Sequence, residues 1–218
     1  MLFGLTAGYL SGAREVMFTT LGIEQGLSHP SVHSIFQDET GVMWFGTRQG
    51  LNRYDGEMII PVAITPRPLE MVDNTVWTIT GNHQGSLYLL ANKSILHYNL
   101  HKQTFDLLIT DRVDQFMYLD GIIWYAAGNQ LFQMDPGSEE SRLVSTFDPQ
   151  FAPVKQIIRN RQGAFWLATM AGLLKISSDG RVEKRFFEGI QVTTIMEDSN
   201  SMLWVGTRKN GAFLLNPH

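Results

Sequence analysis

The chain has 218 residues, 44% of them hydrophobic, and its 17 Lys+Arg against 21 Asp+Glu leave a net charge of −4. That content suits a globular core and excludes a disordered acidic segment, while the slight acidity excludes a nucleic-acid grip built on excess base. Cysteine is absent, which excludes disulfides, thiolate nucleophiles and zinc–thiolate sites, and no apolar run reaches the ~18 residues of a membrane-spanning helix.

Met1 to Leu10 is apolar apart from Thr6 and is followed by Ser11-Gly12-Ala13. Residues 1–15 therefore read either as the remnant of a secretory signal or as a loosely docked N-terminus, since no Lys or Arg precedes the apolar run. Val16 to Thr20 follows as a strand-like run with no neighbour of its own.

From Ser31 onward the chain repeats. Ser31 to Gly56 is an alternating apolar run, an Asp, a turn, a Trp, Gly-Thr-Arg, a Gly and a second apolar run; Thr193 to Leu215 has the same frame. In the first unit the period-two pattern predicts strands over Val32–Gln37, Val42–Thr47, Leu51–Tyr54 and Met58–Val62. Val32, Ser34 and Phe36 are expected on one face. Pro61 is tolerable in an outer strand, which needs fewer ladder bonds. Weaker copies centre on Leu87-Tyr88-Leu89, Ile123-Trp124-Tyr125 and Phe165-Trp166-Leu167.

The anchoring aromatics Trp44, Tyr88, Trp124, Trp166 and Trp204 recur about every 40 residues, and three positions before each stands Gly41, Gly85, Gly121, Gly163 or Ser201. A period of that size built of strands predicts an all-β fold, a β-propeller of four-stranded antiparallel blades. About five blades are expected over residues 16–218, in units near 18–57, 58–103, 104–140, 141–180 and 181–218. The aromatics are expected to wedge neighbouring blades apart, so that Trp204→Ala should unfold the last one. Gly46, Ala126, Ala168 and Gly206 are expected to let the next blade approach. The last unit stops after its third strand, so either Val16–Thr20 closes a five-bladed ring by pairing there, or the chain is a fragment of a larger, seven-bladed ring.

Gly26-Leu27-Ser28, Val32 to Asp38, Gly41, Trp44-Phe45-Gly46-Thr47, Gly50-Leu51 and Tyr54-Asp55-Gly56 resemble the two-component regulator propeller repeat. The resemblance is specific in the first unit, good in the fifth and weak between. It implies a periplasmic, ligand-sensing head of a bacterial hybrid sensor kinase or related receptor, often recognising saccharides and self-associating in the parent receptor. A kinase or diguanylate cyclase module would lie in a longer parent protein.

Catalytic constellations do not emerge. Ser28-His29 are neighbours that point apart on a strand or loop. His97 and His101 are four apart but off a helix. Asp198-Ser199-Asn200 starts like a calcium loop, but Lys209 stands where its closing Glu belongs. No metal, cofactor or nucleic-acid partner is expected. Two other readings stay open: a protein-interaction scaffold, and a propeller lyase like those acting on streptogramins, which Trp44-Phe45-Gly46-Thr47 loosely resembles. The lyase would need a histidine and acids around a metal at the axis, and His33 is the only histidine on an expected inner strand.

In a propeller, the loops leading into inner strands and those joining second to third strands share one face. Arg48, Gln49, Lys93, Asn129, Gln130, Arg208 and Lys209 occupy the joining loops, with His33 at the axis, and these are the expected ligand-binding residues. Their cationic and amide groups suit hydroxyl-rich or anionic small molecules, saccharides among them. His29, Ser31, Asn74 and Lys155 are added by the leading loops.

Overall fold

A computed structural model describes residues 17–65, 74–110, 112–138 and 140–217; the expected leader at residues 1–15 lies outside these. Each unit folds into an antiparallel sheet whose strands follow chain order from the inside out. Blade 1 holds β1 (Val32–Gln37), β2 (Met43–Thr47), β3 (Gly50–Tyr54) and β4 (Ile59–Val62). Blade 2 holds β5 (Val76–Gly81), β6 (Ser86–Ala91), β7 (Ser94–Asn99) and β8 (Thr104–Ile109). Blade 3 holds β9 (Val113–Leu119), β10 (Ile122–Ala127), β11 (Gln130–Met134) and β12 (Ser141–Thr146). Blade 4 holds β13 (Val154–Arg159), β14 (Phe165–Thr169), β15 (Gly172–Ile176) and β16 (Val182–Phe186). Blade 5 has three strands, β17 (Val192–Glu197), β18 (Leu203–Thr207) and β19 (Ala212–Leu215).

The five blades form a β-propeller whose core is a series of blade–blade interfaces. The aromatic of each blade's second strand packs under the inner strand of the next blade. Trp44 clusters with Val76 and Ile79, Tyr88 with Val113 and Phe116, Trp124 with Val154 and Ile157, and Trp166 with Val192 and Ile195. Burial of a large ring at each interface is a main source of the fold's stability. Gly46 makes the first approach possible: a Cβ there would lie 2.8 Å from the Val76 carbonyl oxygen and 2.9 Å from its Cγ1. Gly206 has no such role, because a Cβ there would meet Thr194 of its own blade.

The turns between first and second strands need a left-handed residue. Gly41, Gly85, Gly121 and Gly163 have φ of 88°, 88°, 83° and 85°, and Ser201 takes the same region at 60°. In blade 1 Asp38 organises that turn, accepting from the Thr40 and Val42 amides and from the Trp44 indole at 2.7 Å.

Two expectations are corrected. Of the two alternatives for the last unit, pairing with Val16–Thr20 is not seen: residues 17–20 are exposed and outside any strand, and β19 pairs only with β18 among the described residues. No packing comparable to the other inner-strand interfaces joins β17 to β1 among the described residues. Trp204 is consequently not a buried wedge. It is 45% exposed and lies in a cross-strand row with Met196 and Leu214, both also exposed. At the opposite end of the series, Ile35 and Val32, which occupy the positions of Ile79 and Val76, are exposed as well.

Candidate functional site

The inner strands share a feature that alternation could not show. Each carries a β-bulge at its start, so one residue per blade is pushed out of the ladder towards the axis: His33, Trp77, Asp114, Lys155 and Thr193. In blade 1 the bulge also shifts Val32 out of the face shared by Ser34 and Phe36, which corrects the simple alternation.

The residues just after the bulges hold the blades to one another. Ser34 Oγ accepts from the Ile79 amide (2.9 Å), and Thr78 Oγ1 donates to Gln115 Oε1 (2.9 Å). Gln115 Nε2 donates to the Lys155 carbonyl (3.2 Å), and Gln156 Oε1 accepts from the Ile195 amide (2.7 Å) and Thr194 Oγ1 (3.0 Å). These bonds between neighbouring inner strands fix the bulge side chains in position around the axis.

Two cavities open there. One of about 370 Å³ is lined by His33, Trp77, Gln115, Lys155, Gln156 and Thr194 among others. The other, about 410 Å³, forms the mouth between blades 2, 3 and 4, with Trp77, Lys93, Asp114, Pro153 and Lys155 in its wall. Trp77 belongs to both and is 50% exposed, with the His33 ring against it at a centroid distance of 4.4 Å. Lys93 reaches the mouth from the tight turn between β6 and β7, where Asn92 and Lys93 both hold positive φ (47° and 60°), the geometry of a hairpin turn matched to strand twist.

Asp114 is pinned by the Gly128 amide (3.0 Å) and the Val154 amide. Burial nevertheless pushes its carboxyl above the usual carboxylate range, outweighing those bonds and the nearby Lys93 and Lys155 charges.

The expected site residues divide. Lys93 and His33 lie at the axis. Arg208 and Lys209 line a separate cavity of about 350 Å³ with Met170, Gln191 and Asn210. Arg48 and Gln49 are exposed in their turn, and the Arg48 carbonyl accepts from Thr75 Oγ1. Asn129 uses its amide to tie down the Phe147 carbonyl (2.8 Å), while Gln130 opens β11. Trp77 escaped the sequence reading because Tyr88 fills the wedge position of its blade. The signal was arithmetical: of five tryptophans, four stand at the expected wedge positions and one is left over.

The side chains set aside in the sequence have other partners. Ser28 Oγ bonds Thr47 Oγ1, while His29 Nδ1 accepts from the Ser31 amide. His97 Nε2 bonds Ser86 Oγ, and Asp198 accepts from the Asn200 and Met202 amides and the Trp204 indole. Among the described residues no three His, Asp or Glu side chains converge as metal ligands.

The family of two-component regulator propellers matches at residues 26–49 and 187–209, the first blade's leading half and the start of the last. Those two stretches are similar to the two-component regulator propeller repeat. No curated protein sequence matches the chain. Among solved structures, it is similar to the extracellular domain of BT4673 from B. thetaiotaomicron, described as a hybrid two-component system (TM-score 0.72, 21% identity, 88% of this chain and 27% of that one). It is also similar to the extracellular domain of BT3049 from the same organism, described likewise (TM-score 0.56, 19% identity, 91% and 35%). Virginiamycin B lyase from Staphylococcus aureus shares the fold at TM-score 0.65 and 14% identity, over 86% of this chain and 71% of the lyase. The chain thus spans about a third or less of either receptor domain, and at these identities the likeness is one of fold.

Proposed function

We propose that this chain is the non-catalytic, ligand-sensing propeller of a bacterial two-component receptor, placed in the periplasm, with its small-molecule ligand bound at the axial mouth around Trp77. The observation that carries this reading is a half-exposed indole, held by the interlocked inner strands, that opens onto a cavity of about 410 Å³. Exposed aromatic faces set in a concave, mostly preformed wall are what ligand sites use. The extracellular placement of the BT4673 and BT3049 domains supports the location, and the repeat family supports the receptor role.

A non-catalytic role is favoured over the lyase reading because His33, the one axial histidine, is engaged with Trp77 and has no partner set for a metal. A saccharide or another hydroxylated metabolite is the expected class of ligand. Signalling then follows from a ligand-dependent shift in blade packing or in the association of receptor heads, relayed by output parts of a parent protein. A thermal-shift screen of oligosaccharides and organic acids tests this: a ligand that raises the Tm of the chain but not of its Trp77→Ala variant supports the reading. Stabilisation by none of them favours an interaction scaffold instead.

The sensing ring is larger than five blades. Trp204, Met196 and Leu214 repeat the surface that in every earlier blade is covered by a Val and an Ile or Phe of its neighbour. Acrylamide quenching compares the two cases: Trp204 should be accessible in the 218-residue chain and shielded in the parent receptor. Equal accessibility would contradict a further blade.

A further inference from the structure

Two features of the axial mouth restrict the chemistry of what it can hold, given that it is the ligand site. The first is the supply of hydrogen-bonding groups. Gln115 spends its oxygen on Thr78 and its own Phe116 amide, and its nitrogen on the Lys155 carbonyl. The Lys93 carbonyl is taken by the Val113 amide. Asp114 accepts two amides. The acceptors of the wall are thus largely committed, whereas the Lys93 and Lys155 ammonium groups form no ion pair within 4 Å among the described residues. What the cavity offers is positive charge, donors and an open indole face.

The second is the distribution of charge. In a chain of net charge −4, the mouth-side loops and bulges carry Arg48, Lys93, Arg112, Lys155, Arg208 and Lys209. Against them, among the described residues, stand Asp114, Glu188 and Asp148, the last paired with Arg185 at 3.8 Å. The loops at the other end are acidic, with Asp38, Glu39, Asp55, Asp120, Asp135 and Asp198. Among the described residues the mouth end is thus the more basic and the other end the more acidic, which raises the local concentration of anions at the cavity.

We propose that the axial mouth binds a carboxylate carried on a ring: Lys93 and Lys155 hold the anionic group, and the face of Trp77 left open by His33 holds the flat apolar side of the ring. A neutral polyol is disfavoured, because it brings donors to a wall with few acceptors to spare. A short-chain acid is disfavoured because it leaves the indole uncovered. The ring could belong to a sugar acid or to an aromatic acid, since both present a flat face beside a carboxylate.

Four probes separate these cases by titration calorimetry on the full chain: glucuronate, benzoate, glucose and acetate. The expectation is binding of glucuronate, benzoate or both, at least about tenfold tighter than glucose and acetate, and weakening with added salt. Whichever ring acid binds identifies the source. Lys93→Gly removes one ammonium while suiting the left-handed backbone, and with Lys155→Ala it should lower affinity for the ring acid by about tenfold or more. Trp77→Ala should do the same, with recovery in Trp77→Phe; circular dichroism checks that each variant is folded.

Glucose binding as tightly as glucuronate, with both lost in Trp77→Ala, would overturn the anion assignment and leave the mouth as the ligand site. Acetate binding as tightly as the ring acids would overturn the role of the indole. Binding by no probe, or binding indifferent to Trp77→Ala, would overturn the assignment and remove its support from the mouth.

Discussion

Trp204 repeats Trp44 in every local respect but its cover. Each indole donates to the aspartate six residues before it, Asp38 at 2.7 Å and Asp198 at 3.0 Å, and each sits two residues before a glycine. Trp44 is 3% exposed beneath blade 2, while Trp204 is 45% exposed and no blade covers it among the described residues. Local sequence sets the turn and the hydrogen bond; the neighbouring blade decides what the ring is worth.

The expectation that Trp204→Ala unfolds the last blade is therefore revised. Truncating the fully buried Trp166 should cost ~3–5 kcal/mol, and truncating Trp204 only about 1–2 kcal/mol. Urea unfolding of both variants measures this, and equal losses would mean that Trp204 is covered in solution.

Blade 4 contains a mismatch that can be mended. Asn160 stands where blade 1 has Asp38, its Oδ1 accepts from the Ala164 amide, and both its Nδ2 and the buried Trp166 Nε1 lack partners. Asn160→Asp supplies the missing acceptor and should gain about 1 kcal/mol. The reverse change, Asp38→Asn, should cost about 1–3 kcal/mol by stranding the Trp44 indole. Thermal melts of the two single variants should move in opposite directions.

Close approach at Gly46 sets a third expectation. Gly46→Ala forces Val76 back by several tenths of an ångström in a dense interface and should destabilise by about 1–3 kcal/mol. The same change at Gly206, whose one close contact would be the Thr194 methyl group of the adjacent strand in its own blade, should cost less.

Stability should pass through a maximum on acidification. Burial works against the Asp38 carboxylate, but hydrogen bonds from Thr40 and Trp44 outweigh it and hold its pKa low; the Trp204 and Met202 bonds do the same for Asp198. Depressed carboxylates stabilise the fold above their unfolded value near ~4, and that contribution is lost as pH falls through their lower folded values. Asp114 acts in the opposite sense: raised by burial, it takes up its proton first in the fold, so stability grows as pH falls from neutral towards its unfolded value. A Tm profile from pH 7 to 3 should rise and then fall, and Asp114→Asn should abolish the rise.

The fold was legible because one large ring and one left-handed turn residue recur in every unit, and both are properties of a residue type at a fixed spacing. Trp44-Phe45-Gly46 announces an interface in advance. The axial mouth was not legible, because a β-bulge has no residue signature of its own. The bulge positions carry His33, Trp77, Asp114, Lys155 and Thr193, five unrelated types that only the shared register shift aligns. The loop position of Lys93 brings it to the wall of the mouth, whereas Asn129 gives its amide to the Phe147 carbonyl. Between a closing strand and a larger ring the sequence alone could not choose, because pairing across a ring depends on where two distant ends lie, which local alternation does not encode.

The central claim is that ligand meets this propeller at Trp77. Five indole N–H groups give five resonances in a two-dimensional ¹⁵N spectrum, and Trp77→Phe identifies one of them. A stabilising ligand should shift the Trp77 resonance at concentrations that leave Trp124, Trp166 and Trp204 in place. A ligand that binds and stabilises while leaving Trp77 unmoved would contradict the account.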